Sequence, residues 1–556
     1  MASATPQESR ALTGRALVIG ALGSALLTAS SLFIALKMGA LPWPIVFAAL
    51  ASIVALRALG SHNLHEANVC HAAMSAGAMV AGGLAFTIPG LWMLGPSYQV
   101  TLPQVLLASL SGTLLGLCAS AALQAHFIRE RRLAYPIGVS AAETLKAADD
   151  AKAGDAPVLF GAMGLSALYA LVRDNLGVLP AVIGTGSVIP GVTLGIYNSP
   201  MMAAMGFMVG VAPALVWFLG ALVGNIGIAG ILPALGHIAQ EDASAIQSSL
   251  GLGLMLGVGA GAIVSGLLPL IKRRMASGAS AAEKISDAEA ARRLFVPRSM
   301  VALAMVVVAT ALCVGLNLGL GASVVVIVGA WFSVYLSAWL TGTTGVNPME
   351  IFGVLVLLLV RLCFAQMSME SLFLGAAVVA VACGIMGDVM NDLKAGDVLR
   401  TNPRDQFIGM AVGGLVGAVV AALMLMALLT AYGAESFGPQ QSFVAAQASV
   451  VATMAGGIPH LEVFVAGLAA GLVMALAKLP VMTLGLGVYL PFHMSACAGA
   501  GALIRIIFDA RRKHDDPKRR AALEAKWQAA GSGLLGGESL VGVISAFIAV
   551  AMMLAG

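Results

Sequence analysis

The sequence has 556 residues, of which 59% are hydrophobic and 10% charged, and its net charge is +4 at pH 7. Soluble domains carry about 25% charged residues, so this composition excludes a water-soluble fold and predicts a polytopic membrane protein. The sequence has no basic patch with interleaved aromatic residues, which excludes nucleic acid as a partner.

Apolar stretches recur along the whole chain, and most are close to the ~20 residues needed to cross ~30 Å of hydrocarbon. They lie at 14–36, 41–59, 66–88, 104–128, 157–174, 180–197, 201–235, 247–270, 298–318, 321–341, 345–363, 369–388, 406–430, 441–456, 459–477, 480–498 and 533–554. The stretch 201–235 suits one tilted helix or a broken pair, and the short stretches 180–197 and 441–456 suit re-entrant segments. The pattern predicts an all-α polytopic membrane protein with about 16 transmembrane helices, some of them short or broken.

Lysine and arginine residues concentrate in loops that would fall on one side of the membrane. These basic segments lie around 10–15, 57, 129–132, 272–293 and 394–404, whereas the loops 89–103, 236–246 and 431–440 contain neither residue. Because cytoplasmic loops are enriched in basic residues, the pattern predicts a cytoplasmic N-terminus.

Two short phrases occur in both halves of the sequence, in the same order. LKAAD at 145–149 matches LKAGD at 393–397, and PGVTLGIY at 190–197 matches PVMTLGLGVY at 480–489. The matches predict a duplication that divides the chain into a first transmembrane half (1–270), a cytoplasmic linker (271–297) and a second transmembrane half (298–556). Transporters commonly place their binding site between such repeats.

Charged residues within the predicted spans are few, and such residues usually face the protein interior or a water-filled cavity. Asp388, Asn391 and Asp392 are spaced i, i+3 and i+4, so one helix face carries all three. Glu66 opens the third span, in the phrase HEANVCH. Capping of helix ends is the alternative role for these acids.

Other polar residues stand at the ends of spans or beside prolines. They are His71 in the third span, Glu143 and Lys146 after the fourth, Lys394 after the twelfth, and Tyr197, Tyr489 and His493 near Pro200 and Pro491. Proline breaks expose backbone groups that are tolerated only near a cavity or another helix, so the last three residues are candidates to line a pathway. Glu350 follows Asn347-Pro348, where an acid that stabilises the first helical turn is expected.

The phrase HEANVCH is not a zinc-protease motif, because its second histidine comes six residues after the first and Val69 stands at the i+4 position. His65 and His71 would also point to different sides of a helix. The sequence contains no GxxxxGK[ST] phosphate loop. These observations predict no metal site and no cofactor, and they give no support to ATP-driven transport.

Five phrases spread over both halves carry a family resemblance. They are HEANVCHAAMSAGAMVAGGLAFTIPGLWML (65–94), AYPIGVSAAETLKA (134–147), GDVMNDLKAGDVLRTNPRDQFIGMAVGGLVGA (387–418), LPVMTLGLGVYLPF (479–492) and GGESLVGV (536–543). In this order they resemble the oligopeptide transporter family, in its prokaryotic branch, which is similar to the plant yellow-stripe transporters. The NPG and KIPPR motifs of the fungal and plant peptide branch do not occur, which favours the yellow-stripe-like side without excluding peptides.

The resemblance implies a secondary transporter, usually proton-coupled, that imports small peptides or metal chelates. It also implies a bacterial inner membrane protein, with a homodimer as one candidate assembly. The implied partners are the small solute, protons and the lipid bilayer.

The residues and the resemblance together lead to the hypothesis of a proton-coupled symporter for a small solute with amine and carboxylate groups. Glu66 and Asp388 are the candidates to bind the proton, because a carboxylate in a partly dry cavity can take up and release a proton near neutral pH. The candidate substrate-binding residues are Glu66, His71, Glu143, Tyr197, Asn391, Asp392, Lys394, Tyr489 and His493. The alternatives are a membrane channel, and an intramembrane enzyme for which the sequence shows no nucleophile–base motif.

Overall fold

Helices form nearly all of the secondary structure, which confirms the all-α prediction. The computed structural model describes residues 11–39, 41, 45–95, 97–150, 156–189, 192–276, 296–344, 347–456, 458–512 and 516–555. The first helices are α1 (Gly14–Met38), α2 (Ile45–Ala58), α3 (Leu64–Ala85), α4 (Pro89–Leu94), α5 (Leu102–Gln124), α6 (Pro136–Asp150), α7 (Ala156–Ala170), α8 (Pro200–Val209), α9 (Val211–Ala221), α10 (Leu232–Ala234) and α11 (Gln240–Ala276). The remaining helices are α12 (Arg298–Thr310), α13 (Gly319–Thr344), α14 (Met349–Cys363), α15 (Met369–Leu399), α16 (Pro403–Tyr432), α17 (Ala446–Gly456), α18 (Leu461–Leu476), α19 (Val481–Tyr489), α20 (Phe492–Arg511) and α21 (Pro517–Ala555).

Nine helical segments within the described residues are long and apolar enough to span a membrane. They are Gly14–Lys37, Leu64–Leu94, Leu102–Glu130, Val211–Ala234, Gln240–Gly261, Gly319–Gly342, Met369–Leu399, Pro403–Tyr432 and Phe492–Arg511. Shorter apolar helices such as α8 and α18 accompany them. The chain therefore has the helices of a multi-pass membrane protein, whereas the count of about 16 crossings stays a prediction.

Within 180–197, predicted as a short span, the described residues form two antiparallel strands, β1 (Val182–Ile189) and β2 (Val192–Tyr197), so the prediction of a helical span there was wrong. Val182 pairs with Tyr197 and Ile183 with Ile196. The segment is rich in β-branched residues, which favour strands. Gly184 also has a φ of +73°, which lies outside the helical region. The apolar run therefore satisfies its backbone by pairing two strands rather than by forming a helix.

The stretch 201–235 is a broken pair of helices rather than one tilted helix. α8 ends at Val209, and Gly210, with a φ of +93°, separates it from α9. α9 continues directly into a π-helical segment, Leu222–Ile231. The stretch 441–456 contains α17, whose 11 residues extend over only about 16 Å. That length is too short to cross a ~30 Å hydrocarbon core.

α15 lies at the centre of the packed helices. Its apolar window is wholly buried, and it packs against α3, α5, α13 and α14. The span predicted at 369–388 continues as helix to Leu399. Asp388, Asn391 and Asp392 consequently lie inside the helix rather than at its end, and all three side chains are buried.

Helices from the two predicted halves pack against each other. α16 packs against α1 and α3, α21 against α7, and α18 against α11. The repeated phrases differ in local structure, because 192–197 is a strand whereas 481–489 is helix α19. The duplication and its boundaries stay a prediction. Of the predicted linker, residues 271–276 belong to α11, and 277–295 lie outside the described residues.

Candidate functional site

Two buried carboxylates share one serine hydroxyl between α3 and α15. Ser75 Oγ lies 2.7 Å from Asp392 Oδ2 and 3.1 Å from Asp388 Oδ2. The two aspartates are one helical turn apart, so their i, i+4 spacing places both on the face toward α3. Ser75 lies in the phrase AMSAG, whose small residues let two helices approach closely. We call Asp388 and Asp392 the carboxylate pair.

Polar atoms without protein partners surround the carboxylate pair. Both ring nitrogens of His71 and both polar side-chain atoms of Asn391 are buried and have no hydrogen-bond partner among the described residues. His71 Nδ1 lies 4.0 Å from Asp392 Oδ1, which is too long for a direct hydrogen bond. Because buried polar groups are normally satisfied, these atoms can receive a proton or a polar solute.

Further polar contacts continue from the carboxylate pair to the end of α15. Gln406 Nε2 donates to the Asp392 backbone carbonyl at 2.5 Å. Thr401 Oγ1 lies 3.0 Å from Asn68 Nδ2 and 3.1 Å from His65 Nδ1. These side chains form a polar track between the first turns of α3 and the start of α16.

A cavity of about 160 Å³ lies beside the carboxylate pair, between elements of both predicted halves. Its lining residues are Gly39, Leu41, Met79, Phe86, Asn347, Met349, Glu350, Gln447 and Met482. Met79 follows Ser75 by one turn of α3, and Met349 packs against Gly384, one turn before Asp388. The lining residue Met79 and the Met349 contact at Gly384 therefore lie about one 5.4 Å helical turn from Ser75 and Asp388 along α3 and α15.

Asn347 connects the wall of the cavity to α15. Its Nδ2 donates to the Cys383 carbonyl at 2.8 Å, and its Oδ1 accepts from the Ser337 hydroxyl at 2.8 Å. Gly387 leaves room for this amide, because a Cβ at that position would collide with Asn347 Nδ2. The segment that leads into α14 is thereby fixed against the helix that carries the carboxylate pair.

Glu66, one of the two predicted proton-binding residues, is held in an ion pair at the start of α3. Arg15 Nε lies 2.7 Å from Oε1 and Arg15 Nη2 lies 3.1 Å from Oε2. The hydroxyls of Thr13 and Ser61 also donate to the carboxylate. Nine residues separate Glu66 from Ser75, which is about 14 Å along the helix. Glu66 thus lies apart from the carboxylate pair and ties α1 to α3.

Lys394 and Glu143 also lie outside this group. Lys394 Nζ is 3.5 Å from Asp397 Oδ2, and the Asp397 side chain is 51% exposed. Glu143 is exposed on α6, although α6 itself packs against α15 where Gly138 meets the Asn391 backbone. Neither side chain bonds to the carboxylate pair.

The predicted pathway residues fall into two places. Tyr489 is buried at the end of α19, and its hydroxyl donates to Ser449 Oγ at 2.6 Å. Ser449 shares α17 with the cavity residue Gln447, so Tyr489 braces one wall of the cavity. Tyr197 and His493 form a separate contact, with ring centroids 6.0 Å apart.

Sequence reasoning missed a buried ion pair next to Tyr197. Arg173 Nη2 lies 2.8 Å from Glu538 Oε1, and both side chains are almost fully buried. Glu538 also accepts from the Ser199 hydroxyl at 2.8 Å and from the Met201 backbone amide at 2.9 Å. The rule that a charge within a span is rare could have identified Glu538, which stands in the phrase GGESLVGV.

In chemical terms, the carboxylate pair and the polar track offer carboxylates, amides, hydroxyls and the imidazoles of His65 and His71. Three grouped His, Cys, Asp or Glu side chains able to hold a metal ion do not occur among them. A buried carboxylate pair that shares a hydroxyl can bind and release a proton, and a carboxylate in a cavity can bind a cation. The arrangement therefore suits proton and solute binding.

Comparisons with known proteins cover nearly the whole chain. A family model described as "OPT oligopeptide transporter protein" matches residues 11–549. The chain is also 25% identical, over 604 aligned positions, to a protein of Haemophilus influenzae named "Putative oligopeptide transporter", with 94% of this chain and 93% of that protein covered. The family match extends over the carboxylate pair and every residue that lines the cavity.

Proposed function

Because this chain belongs to the OPT oligopeptide transporter family, we propose that it carries small peptides across a membrane by symport with protons. An amino-acid-derived metal chelate presents similar amine and carboxylate groups and falls within the proposed cargo class. The carboxylate pair is the proposed proton site, and the neighbouring cavity is part of the proposed solute pathway.

The hydroxyl shared by two buried carboxylates is the observation that carries this proposal. Ser75 has one hydroxyl proton and can donate to only one aspartate, yet its oxygen lies within hydrogen-bond distance of both. Both contacts are hydrogen bonds when one carboxyl group holds a proton and donates it to Ser75 Oγ. Two ionised carboxylates side by side away from water would repel each other strongly. The geometry thus supports one proton bound within the pair.

A proton carrier also needs a way to load and unload. His71 of α3 is a titratable residue close to the carboxylate pair. A shift of about 1 Å would bring its Nδ1 within hydrogen-bond distance of Asp392. The polar track through Asn68 and Thr401 continues from there to the end of α15. Small movements of α3 against α15 would therefore alter the contacts of the bound proton.

In this proposal Asp388 and Asp392 bind the proton, and Glu66 does not. Glu66 already has a cationic partner and two hydroxyl donors. Its carboxylate therefore serves to hold α1 and α3 together. Asp388 and Asp392 have only the shared hydroxyl as a side-chain donor among the described residues.

Uptake into proteoliposomes tests the proposal. Wild-type protein should accumulate a labelled tripeptide in response to a proton gradient, and a protonophore should abolish the accumulation. Asp388→Asn and Asp392→Asn should each lower gradient-driven accumulation by about tenfold or more, which corresponds to the loss of about 1.4 kcal/mol or more. Exchange of labelled for unlabelled peptide, which needs no net proton movement, should persist.

Asp397→Asn is the matched control, because Asp397 lies on the same helix but is exposed. Gradient-driven accumulation at the wild-type level in both aspartate variants would contradict the proton role. Transport of an iron chelate without any tripeptide transport would contradict peptide as the cargo. Accumulation against a concentration gradient excludes a channel, and recovery of intact tripeptide excludes a hydrolase.

A further inference from the structure

We propose that the cavity beside the carboxylate pair binds the ammonium group at the amino end of the transported peptide, with Glu350 as its counter-charge. This inference rests on the proposed peptide-carrying function and adds a recognition site to it.

Glu350 is a buried acid without a cationic partner in the described part of the chain. It stands in the first turn of α14 and is only 6% exposed. The ion pairs among the described residues do not include it. Burial of a carboxylate without a compensating charge is costly, so a bound cation would supply the missing partner.

Stabilisation of a helix end does not account for this burial. Glu462 occupies the equivalent first-turn position of α18 and is exposed. A first-turn acid interacts favourably with the helix dipole at the surface, so Glu350 would not need to face a cavity for that purpose. Glu462 therefore provides an internal comparison for the position of Glu350.

The other lining residues match the chemistry of a peptide's first residue. Glu350 is the only charged residue among the described residues that line the cavity. Asn347 and Gln447 contribute amides that can bond a peptide group, and Gln447 Nε2 makes two long contacts, 3.4 Å to the Gly39 carbonyl and 3.7 Å to Met482 Sδ. Met79 and Met482 provide flexible apolar surface, which adapts to side chains of different shape.

The size of the cavity favours one end of a peptide over a whole peptide. Its volume of about 160 Å³ is below the ~300–1,000 Å³ of most small-molecule sites. A single residue with its ammonium group fits this volume better than three residues do. The remainder of the substrate would then extend beyond the described walls.

The position of the cavity would link peptide binding to the proposed proton site. Met79 and Ser75 are neighbours on α3, as Gly384 and Asp388 are on α15. Met79 lies on α3, and Met349 of α14 packs against Gly384 of α15. A peptide that packs against these two methionines would therefore act on α3 directly and on α15 through Met349, and the contact between α3 and α15 holds the shared hydroxyl. Binding of the ammonium group and binding of a proton to the carboxylate pair would therefore both act on the contact between α3 and α15.

Calorimetric titration of the purified full-length protein with trialanine and N-acetyl-trialanine tests the inference. Acetylation removes the positive charge and leaves the rest of the peptide unchanged. Wild-type protein should bind trialanine roughly 10–100-fold more tightly than the acetylated form, as expected for a charge-assisted hydrogen bond. Glu350→Gln should remove this preference, Glu350→Asp should retain part of it, and Glu462→Gln should leave it unchanged.

The outcomes distinguish a failure of this inference from a failure of the proposed function. Equal binding of the two peptides by the wild type, or a wild-type preference retained in Glu350→Gln, would overturn the ammonium site and leave peptide transport standing. No binding of either peptide by wild-type protein would overturn both. If Glu350→Gln fails to fold, Glu350→Asp decides, because an undiminished preference in that variant would contradict a distance-sensitive ion pair.

Discussion

In the proposed proton site, the Ser75 hydroxyl would control how Asp388 and Asp392 share a proton, because it lies within bonding distance of both. Neither aspartate has a cation among its described contacts, and the nearest imidazole nitrogen is 4.0 Å from Asp392. The charge of the pair consequently depends on one hydroxyl and on any bound proton. Ser75 is thus a positioning residue for the proposed proton site.

Replacement of Ser75 tests this role at the scale of one atom. Ser75→Ala should reduce gradient-driven peptide uptake by about tenfold or more, because a hydrogen bond to a charged group contributes ~1.5–3 kcal/mol. Ser75→Thr keeps the hydroxyl and should restore most of the uptake. The measurement is the initial rate of uptake as a function of the imposed proton gradient.

Ser323→Ala is the control for the loss of a buried hydroxyl. Among the described residues, Ser323 bonds only to the carbonyl of Gly319 in its own helix, at 2.6 Å, so its removal should leave uptake unchanged. A wild-type dependence on the proton gradient in Ser75→Ala would remove Ser75 from the proton site.

Some residues of the site could be predicted from the sequence and others could not. Asp388 and Asp392 are four residues apart, so they lie on the same helix face regardless of how the helix packs. Ser75 carries no such signal, because serine is common among the small residues of membrane helices. The partner of Glu66 depends on Arg15, 51 residues away, and such a distant contact is set by tertiary packing.

At the scale of elements, α3 and α16 approach closely along a ladder of small residues. Gly409, Gly413 and Gly417 recur every four residues on α16, and they meet Val69, Ala73 and Gly77 of α3. This is the small-xxx-small pattern that brings membrane helices together. The ladder fixes α3, and with it Ser75, relative to the helices around it.

A single methyl group tests the ladder. A Cβ at Gly413 would overlap the backbone carbonyl of Ala73, whereas a Cβ at Gly414 would lie at ordinary distances of 3.4 Å from Thr113 and 3.5 Å from Ile385. Gly413→Ala should therefore destabilise the protein by ~1–3 kcal/mol. Gly414→Ala, the neighbouring control, should be neutral or stabilising by up to ~1 kcal/mol. Thermal unfolding in detergent measures both, and equal melting temperatures would contradict the close packing.

Helices were predicted well where apolar runs were long, and less well where they were short. α15 and α16 have 31 and 30 residues, well above the ~20-residue length criterion, and were found by hydropathy alone. The run 180–197 is also apolar but is rich in β-branched residues and contains Gly184, and hydropathy does not distinguish paired strands from a helix. The end of α15 was misplaced for a related reason, because its polar residues resemble a loop unless the surrounding helices bury them.

At the scale of the whole molecule, α21 completes the packing of helices that come early in the chain. It packs against α7, α1 and α8, and its Glu538 pairs with Arg173. Helices from the two predicted halves pack against each other, and the division into halves stays a prediction. Which helices lie side by side depends on the shapes of their faces, which composition and hydropathy do not report.

The Arg173–Glu538 pair should matter for the stability of the whole fold. Arg173→Met should lower the free energy of unfolding by ~3–5 kcal/mol, because it leaves the buried Glu538 carboxylate without its cationic partner. Glu538→Gln should lower it by less, ~1–3 kcal/mol, because Arg173 keeps Asp174 as a partner. The combined variant Arg173→Met/Glu538→Leu should recover part of that loss. Denaturant titration in detergent micelles measures the free energies.

Lys394→Met provides the comparison at a more exposed pair. Lys394 and Asp397 are 3.5 Å apart, and the Asp397 side chain is half exposed, so the loss should stay within ~1 kcal/mol. Equal losses from Glu538→Gln and Lys394→Met would show that the buried pair does not hold α21 in place.

The same ion pair has a consequence for how the chain is made. Arg173 and Glu538 are 365 residues apart, and a ribosome adds roughly 5–20 residues per second, so the guanidinium is synthesised roughly 20–70 s before its partner. During that interval Asp174, which lies 2.6 Å from Arg173 in the finished structure, is the acid at hand to hold the charge. When α21 is added, Glu538 becomes a second acidic partner of Arg173, which keeps its contact with Asp174.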